Sequence, residues 1–411
     1  MKILMTTHYF GSHRGGIETV AERLFFEFAG LEQDIVWIAS DATPPPDAVG
    51  TGRSVGIPVF NFVERKLGVP FPVPTLGGLK ELQKEVQGAD LVVLHDCLYL
   101  INIFAFLLAC FYAVPVIIVQ HVGAGAYTHG LLSTLMKLGN AMVTRPMLKR
   151  AEQVLFISET TKAYFDEVPF RNTPAVVFNG VDASVFRQLK AKESKADLRR
   201  ALGLSPERPV ILFVGRFVEW KGLPVLRHMV ELEQGYSWVF AGWGPINPAK
   251  WDAPNVHVFS ELHGSALAEL YRASDVLVLP SLREGFPVVI QEALASGLPV
   301  VCGSETATAD SALKSFVLGV TLIAGDDQAS ALACNAAIHD VIHLGATGTK
   351  SAVERRNFVL SRYSWRRAAE RYLELASCLV PESRQWRPQI SHNKPITIRY
   401  RNSRIEDQVA R

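Results

Sequence analysis

VLVLPSLREGFPVVIQEALASGLPVVC, residues 276–302, runs strand, turn, helix and strand in one stretch. VLVL is an uninterrupted apolar segment of strand length, and VVC at its end is a second one. Between them Glu284-Gly285-Phe286-Pro287 reads as a turn with Pro at a helix start, and Gly297 stands where a left-handed C-cap is wanted. Two apolar strands joined by a helix form a parallel pair, with helices covering both faces of the sheet. Glu284 and Glu292 are eight apart, in the pattern E-x7-E. Carboxyl ends of strands face the crevice in such sheets, so Glu284 falls in the loop at its mouth. Glu292 falls about one and a half turns into the helix. Amides at a helix start can meet phosphate, and a carboxylate can accept paired hydrogen bonds from a sugar diol.

The same alternation extends in both directions. Upstream, PVILFVG at 209–215 is a strand, followed by strands at Trp238–Ala241 and Val256–Phe259; downstream, Val317–Ile323 is another. The N-terminal part repeats the pattern: Lys2–Thr6, Asp34–Ala39, Leu91–Leu94, Val116–Gln120, Gln153–Ile157 and Ala175–Phe178 read as strands with helices between them. Residues 41–75, rich in Pro and Gly, read as loop. The polar stretch 189–208, LKAKESKADLRRALGLSPER, reads as a linker with a short helix. The expectation is two doubly wound α/β halves with a ligand cleft between them. The tail after Pro381 holds seven Lys/Arg against three Asp/Glu and reads as flexible or loosely docked.

Composition narrows the function classes. With 411 residues, 48% apolar and 20% charged, the chain can bury two or three cores. A formal net charge of +2 gives no global basic field for nucleic acid. The cysteines, Cys97, Cys110, Cys302, Cys334 and Cys378, lie in apolar runs without zinc spacing, so buried free thiols in a reducing cytosol are expected. The first residues, Met1-Lys2-Ile3-Leu4-Met5, are too short an apolar run for a signal peptide. Mean hydropathy is +0.15, and its sharpest source is LYLINIFAFLLACFYAVPVIIV, residues 98–119, without a formal charge. Pro115 divides that run into a helix-like part and the strand VIIV, so a buried helix and strand fit it better than a membrane-surface element or a membrane span.

Neither G-x-G-x-x-G nor a P-loop occurs, and no Asp-x-Asp is available to bridge a metal-bound diphosphate. The residues present suit a diphosphate held without metal. Gly15-Gly16 follows the first strand and opens a helix, where backbone amides can approach an anion, although a plain loop-to-helix turn reads the same way. Arg216 and Lys221, in VGRFVEWKG at 214–222, follow the first strand of the second half. There they are either solvated surface charges or cations on a leaving diphosphate. His121 and, more weakly, His95 end strands of the first half.

These marks together resemble the GT4-type (glycosyltransferase group 1) family of the GT-B superfamily. The resemblance covers roughly residues 1–380 and is carried by Gly15-Gly16, VIIVQH, VLFISETT, VVFNGVDASVF, VGRFVEWKG, AGWGP and the Glu284/Glu292 block. It implies two Rossmann-like domains with mainly parallel sheets facing a central cleft. Residues 1–188 would be the acceptor domain, 189–208 a linker and 209–362 the donor domain. A helix at 363–380 would cross back to the N-terminal domain, and 381–411 would be the tail. It implies a retaining transfer from a nucleoside-diphosphate sugar, with no cofactor and no metal. By that carry-over Gly15, Gly16, Arg216 and Lys221 hold the diphosphate, and Glu292 the ribose. Glu284, Gly285, Phe286 and Pro287 would frame the donor sugar, with His121 beside sugar and acceptor. A donor phosphate oxygen would take the acceptor proton, so no catalytic base pair is needed. Three positions depart from the pattern: Trp243 where an acid often stands, Ser260 where Gly is usual, and SETATADSA, 304–312, in place of a Gly-Gly and Glu segment.

On the acceptor side, residues 129–150 carry Lys137, Arg145, Lys149 and Arg150 with no acid before Glu152. Basic and apolar residues together suit an anionic membrane surface, and an ordinary amphipathic helix over the core fits as well. The expectation is a cytoplasmic enzyme, peripheral on the inner membrane face, with a glycan or lipid-linked acceptor in cell-surface polysaccharide, lipopolysaccharide or glycolipid assembly. Two alternatives stay open: a GT-B nucleotide-sugar epimerase, and a non-catalytic nucleotide-sugar-binding scaffold.

Overall fold

The computed structural model describes residues 1–13, 15–62, 71–123, 131–260, 262–282, 285–343 and 350–381. Glu284, residues 129–130 of the basic stretch, and the tail from 382 lie outside the described residues. In the N-terminal half the strands are β1 (Lys2–Thr6), β2 (Asp34–Ser40), β3 (Arg53–Ile57), β4 (Val59–Phe60), β5 (Val73–Pro74), β6 (Leu91–His95), β7 (Val116–Gln120), β8 (Gln153–Phe156) and β9 (Ala175–Val176). Seven of them form a parallel sheet ordered β3-β2-β1-β6-β7-β8-β9, while β4 and β5 pair separately and antiparallel.

Strand periodicity assigns the side chains of this sheet to two cores. Ile3, Met5, Ile35, Trp37 and Ala39 pack on one face with the helix Gly16–Gly30. Leu4, Val36 and Ile38 pack on the other, with the helices Leu76–Gln87, Leu100–Tyr112 and Arg145–Arg150. Strand β3 corrects the reading of 41–75 as loop: it pairs along β2 from Val36↔Arg53 to Ser40↔Ile57. It is an edge strand, and its part-polar RSVGI lacks the apolar run that marks a central one.

The second half holds β10 (Val210–Val214), β11 (Ser237–Ala241), β12 (Val256–Phe259), β13 (Val276–Leu279), β14 (Val300–Gly303) and β15 (Leu318–Val320). They form a parallel sheet ordered β12-β11-β10-β13-β14-β15, the doubly wound order with its switch point between β10 and β13. The supposed linker is docked on this half. Its helix Lys195–Ala201 places Lys195 Nζ 2.9 Å from Asp275, and Arg199 bonds the same carboxylate and the Ala273 carbonyl.

The helix Trp365–Ser377 returns to the first half. Trp365, Ala368, Ala369, Tyr372, Leu373 and Ala376 form its buried stripe and belong to the N-terminal core. Ser364 caps it, accepting from the Arg367 amide. Gly180 of the NGVD segment lets the chain pass: a Cβ there would lie 2.2 Å from the Trp365 nitrogen. The 98–119 run is the helix Leu100–Tyr112 plus β7, and among the described residues no helix is long and apolar enough to cross a membrane. Cys97, Cys302 and Cys334 are buried, but Cys110 and Cys378 are exposed, because Cys110 faces outward on its helix and Cys378 caps another.

Candidate active site

In the second half, one side of the site is built from loops after β10, β11 and β13. Gly222 has φ +81°, and a Cβ there would lie 2.2 Å from the Pro280 carbonyl oxygen. Only glycine suits both the left-handed backbone and that approach. Ser281 Oγ donates to the Lys221 carbonyl at 3.3 Å, tying the two loops together. Gly242, after β11, is as close to the first loop: its Cβ would lie 1.9 Å from the Gly215 oxygen. The contacts gather Arg216, Lys221 and Trp243 at one edge. The Arg216 guanidinium lies 5.0 Å from the Trp243 ring centre and 5.8 Å from that of Trp220. Cation–π contact of this kind holds an arginine in place while leaving its charge intact. Trp243, read from sequence only as a departure, thus shapes the cation site, and it stays 41% exposed.

The helix of the E-x7-E block spans Val288–Ala295, with Pro287 as N-cap and Gly297 at φ +77° beyond its end. Glu292 accepts from the Tyr271 hydroxyl at 2.7 Å. Burial pushes its carboxyl up to about 7, against the opposing pull of that hydroxyl and of Arg23. Phe286 points away from the cleft into a core with Phe178 and Tyr363, at 5.8 and 5.2 Å between ring centres, so only its backbone is available to a ligand. Tyr363 in turn donates to Asp310 at 2.7 Å, and Arg362 bonds the same carboxylate. The divergent SETATADSA loop therefore has a structural task. Beside Asp310, Ala309 accepts from the Glu159 amide at 2.8 Å, and Ser311 donates to the Glu159 carboxylate at 3.0 Å. These bonds clasp the two halves.

The first half gathers its polar groups at the carboxyl ends of β1, β6 and β7. His121 and His95 are brought together: His95 Nδ1 lies 2.9 Å from His121 Nε2, with both rings buried. Burial pulls His121 down to about 3 and His95 well below its ordinary value, so both are neutral at physiological pH. Asp96 stands between their strands in a left-handed conformation, φ +66°. Its Oδ1 accepts from the His121 amide at 3.2 Å, and burial pushes its carboxyl up to about 7 against backbone N–H bonds.

Gly15 is the extended N-cap of the helix Gly16–Gly30, and the first turn already holds an anion. A Cβ on Gly15 would lie 2.0 Å from Glu18 Oε2, whereas Gly16 has open space. Glu18 Oε1 lies 2.9 Å from His8 Nε2 and 3.3 Å from His13 Nδ1. Burial alone would raise this carboxyl, but the two histidines and its own amide hold it well below the carboxylate range. His8 also stacks on Tyr99 at 3.7 Å. Glu18, His8, His13 and Asp96 were missed in the sequence. Glu18 alone had a signal, standing within the first turn after the glycine pair.

The two half-sites meet. A Cβ on Gly285 would lie 2.6 Å from the His121 carbonyl oxygen, 3.1 Å from Ile157 and 3.5 Å from Thr161. The turn after β13 thus rests on the ends of β7 and β8, and the E-x7-E helix opens toward His121.

Comparison with known proteins agrees with this geometry. Residues 14–185 match the family model for glycosyltransferase family 4, and 194–350 that for glycosyl transferases group 1. A D-inositol 3-phosphate glycosyltransferase of Catenulispora acidiphila is 31% identical over 232 residues, 51% of each chain. An uncharacterized glycosyltransferase of Methanocaldococcus jannaschii is 33% identical over 167 residues, 37% of this chain and 42% of its own. The match thus spans about half or less of these curated relatives' length. Among solved structures, a sucrose-phosphate synthase of Thermosynechococcus elongatus superimposes with TM-score 0.70 at 18% identity, covering 92% of this chain and 99% of its own. HepE of Anabaena in complex with UDP-glucose does so with TM-score 0.67 at 15% identity, covering 92% and 99%. With both halves matched in order around one cleft, the chain belongs to the group 1, or GT4-type, glycosyltransferases of GT-B fold.

Proposed function

We propose that this protein moves a sugar from a nucleoside-diphosphate sugar to a glycan or lipid-linked acceptor, with retention at the anomeric carbon and without metal. The observation that carries the reading is the approach of Gly285 to His121, which makes one site from two half-sites. Arg216 and Lys221 supply the positive charge that a departing diphosphate needs. Glu292 accepts the ribose hydroxyls, and the backbone of Gly285 and Phe286, with Glu284, frames the sugar. The donor phosphate takes the acceptor proton on the same face. Glu18 with its two histidines lies at the Gly15-Gly16 turn, so the diphosphate depends chiefly on the cations of the second half.

The test is a thermal-shift screen of UDP-, GDP- and ADP-sugars, followed by turnover of the best one with EDTA present. A donor at 100 times its Kd stabilises the fold by about 2.7 kcal/mol. Glu284→Ala is expected to abolish transfer and donor hydrolysis with Tm unchanged. Unchanged turnover would reject the site. Conversion of the donor to its epimer without acceptor would favour an epimerase, and binding without either reaction a scaffold.

For the acceptor side we infer peripheral attachment to an anionic membrane. Leu135, Leu138 and Met142 are 52–67% exposed on the segment that also carries exposed Lys137, Lys149 and Arg150. Leu107 and Phe111 are exposed on Leu100–Tyr112, which packs on the same face of the sheet. Exposed apolar side chains beside cations match a headgroup boundary. Such a surface suits a lipid-linked acceptor in cell-surface polysaccharide or glycolipid assembly.

A further inference from the structure

We propose that His95 is a positioning residue: it fixes the ring of His121 in the tautomer that carries its proton on Nδ1. Two neutral imidazoles joined nitrogen to nitrogen share one proton. Either His95 Nδ1–H donates to His121 Nε2, or His121 Nε2–H donates to His95 Nδ1. The other nitrogen of His95 decides between them. His95 Nε2 is buried and has no hydrogen-bond partner among the described residues. In the second arrangement that nitrogen must carry a proton, leaving a buried N–H without an acceptor. In the first it carries only a lone pair. An orphaned buried donor is the rarer of the two defects, so the proton between the rings belongs to His95.

The frame around His95 holds this geometry. β6 and β7 are adjacent and parallel, with His95 opposite Val119. Asn102 Nδ2 donates to the carbonyls of His95 and Asp96, at 2.6 and 2.8 Å. Thr6 Oγ1 in turn donates to Asn102 Oδ1 at 2.7 Å. Neither residue moves without breaking bonds among buried groups. With Nε2 of His121 engaged as an acceptor, its Nδ1–H is the nitrogen left for a ligand, and it can only donate. His121 then offers a neutral hydrogen bond to a sugar or acceptor oxygen. It does not act as a base through Nε2.

The experiment is a two-bond 1H–15N correlation spectrum of the histidine side chains in the ligand-free protein, with His121 assigned by His121→Gln. The expected pattern shows His121 protonated at Nδ1 and bare at Nε2. His95→Asn places an amide N–H near the original Nδ1 and should keep that pattern. His95→Phe fills the space without a donor and should release His121 to the Nε2–H form. On turnover, His95→Phe is expected to lower kcat about tenfold, the worth of one buried hydrogen bond, with donor KM little changed. His95→Asn should stay within about threefold of the parent. A parent spectrum with His121 protonated at Nε2 overturns the proposal, as does a His95→Phe protein with unchanged tautomer and kcat. If His95→Phe does not fold, the parent and His95→Asn spectra decide alone. The role of the tautomer in catalysis rests on the transferase reading, but the spectrum needs no substrate. Its failure is therefore distinct from failure of that reading, which Glu284→Ala tests.

Discussion

Glu292 gives the sharpest quantitative expectation. Its carboxyl is pushed up to about 7 because burial disfavours the anion, and among the described residues the Tyr271 hydroxyl alone bonds it. A ribose diol donates two hydrogen bonds, which the ionised carboxylate accepts best. With a pKa of about 7, roughly one molecule in eleven is ionised at pH 6 and ten in eleven at pH 8. If only the ionised form binds the diol, apparent affinity falls about tenfold as pH drops from 8 to 6. The sign follows from the raised value: the neutral acid is favoured in the free protein, and alkali supplies the binding form. The assay is calorimetric titration of the nucleoside diphosphate found in the donor screen, against its 2′-deoxy analogue, at pH 6, 7 and 8. The ratio of the two affinities cancels titration of the phosphates and of groups elsewhere in the cleft. It should rise about tenfold across the range in the parent and stay flat in Glu292→Gln. A flat ratio in the parent would refute the assignment of the diol to Glu292.

Other perturbations follow from single contacts. Gly222→Ala forces a side chain onto a residue at φ +81° and 2.2 Å from the Pro280 oxygen; it should cost about 2 kcal/mol or more in urea unfolding and lower kcat/KM by displacing Lys221. Asp310→Ala leaves the Tyr363 hydroxyl and the part-exposed Arg362 without their shared carboxylate. It should destabilise by about 3 kcal/mol, seen as a Tm drop of several degrees, and it should slow transfer because Phe286 rests on Tyr363. Leu138→Glu with Met142→Glu should abolish sedimentation with anionic liposomes at low salt while leaving Tm and donor binding unchanged. Equal sedimentation of parent and variant would remove the membrane reading.

Much of the fold was legible without coordinates. Apolar, β-branched runs of strand length such as VILFV and VIIV read as strands buried on both faces, and the helices between them force parallel pairing. The Gly297 cap and the E-x7-E spacing marked the helix Val288–Ala295, since both depend on residues a few positions apart. Strand β3 was hidden because an edge strand needs only one partner and little apolar side chain. The linker helix, too, reads as polar, yet Lys195 and Arg199 dock on Asp275, a contact nearly eighty residues distant.

The sequence by itself determined two α/β halves with a cleft between them, and it set Arg216, Lys221 and Glu292 just after a strand or within one short motif. Tertiary structure alone decided what surrounds them. It put Trp243 over Arg216, and it tied Asp310 to Arg362 and Tyr363 across 52 and 53 residues of chain. It paired His95 with His121 across 26 residues, and folded Glu18 back onto the Gly15 turn between two histidines. Local spacing sets which residues share a helix or a strand end. Protonation, tautomer and charge depend on burial and on partners that meet only when the sheet closes, so those properties had no trace in the order of residues.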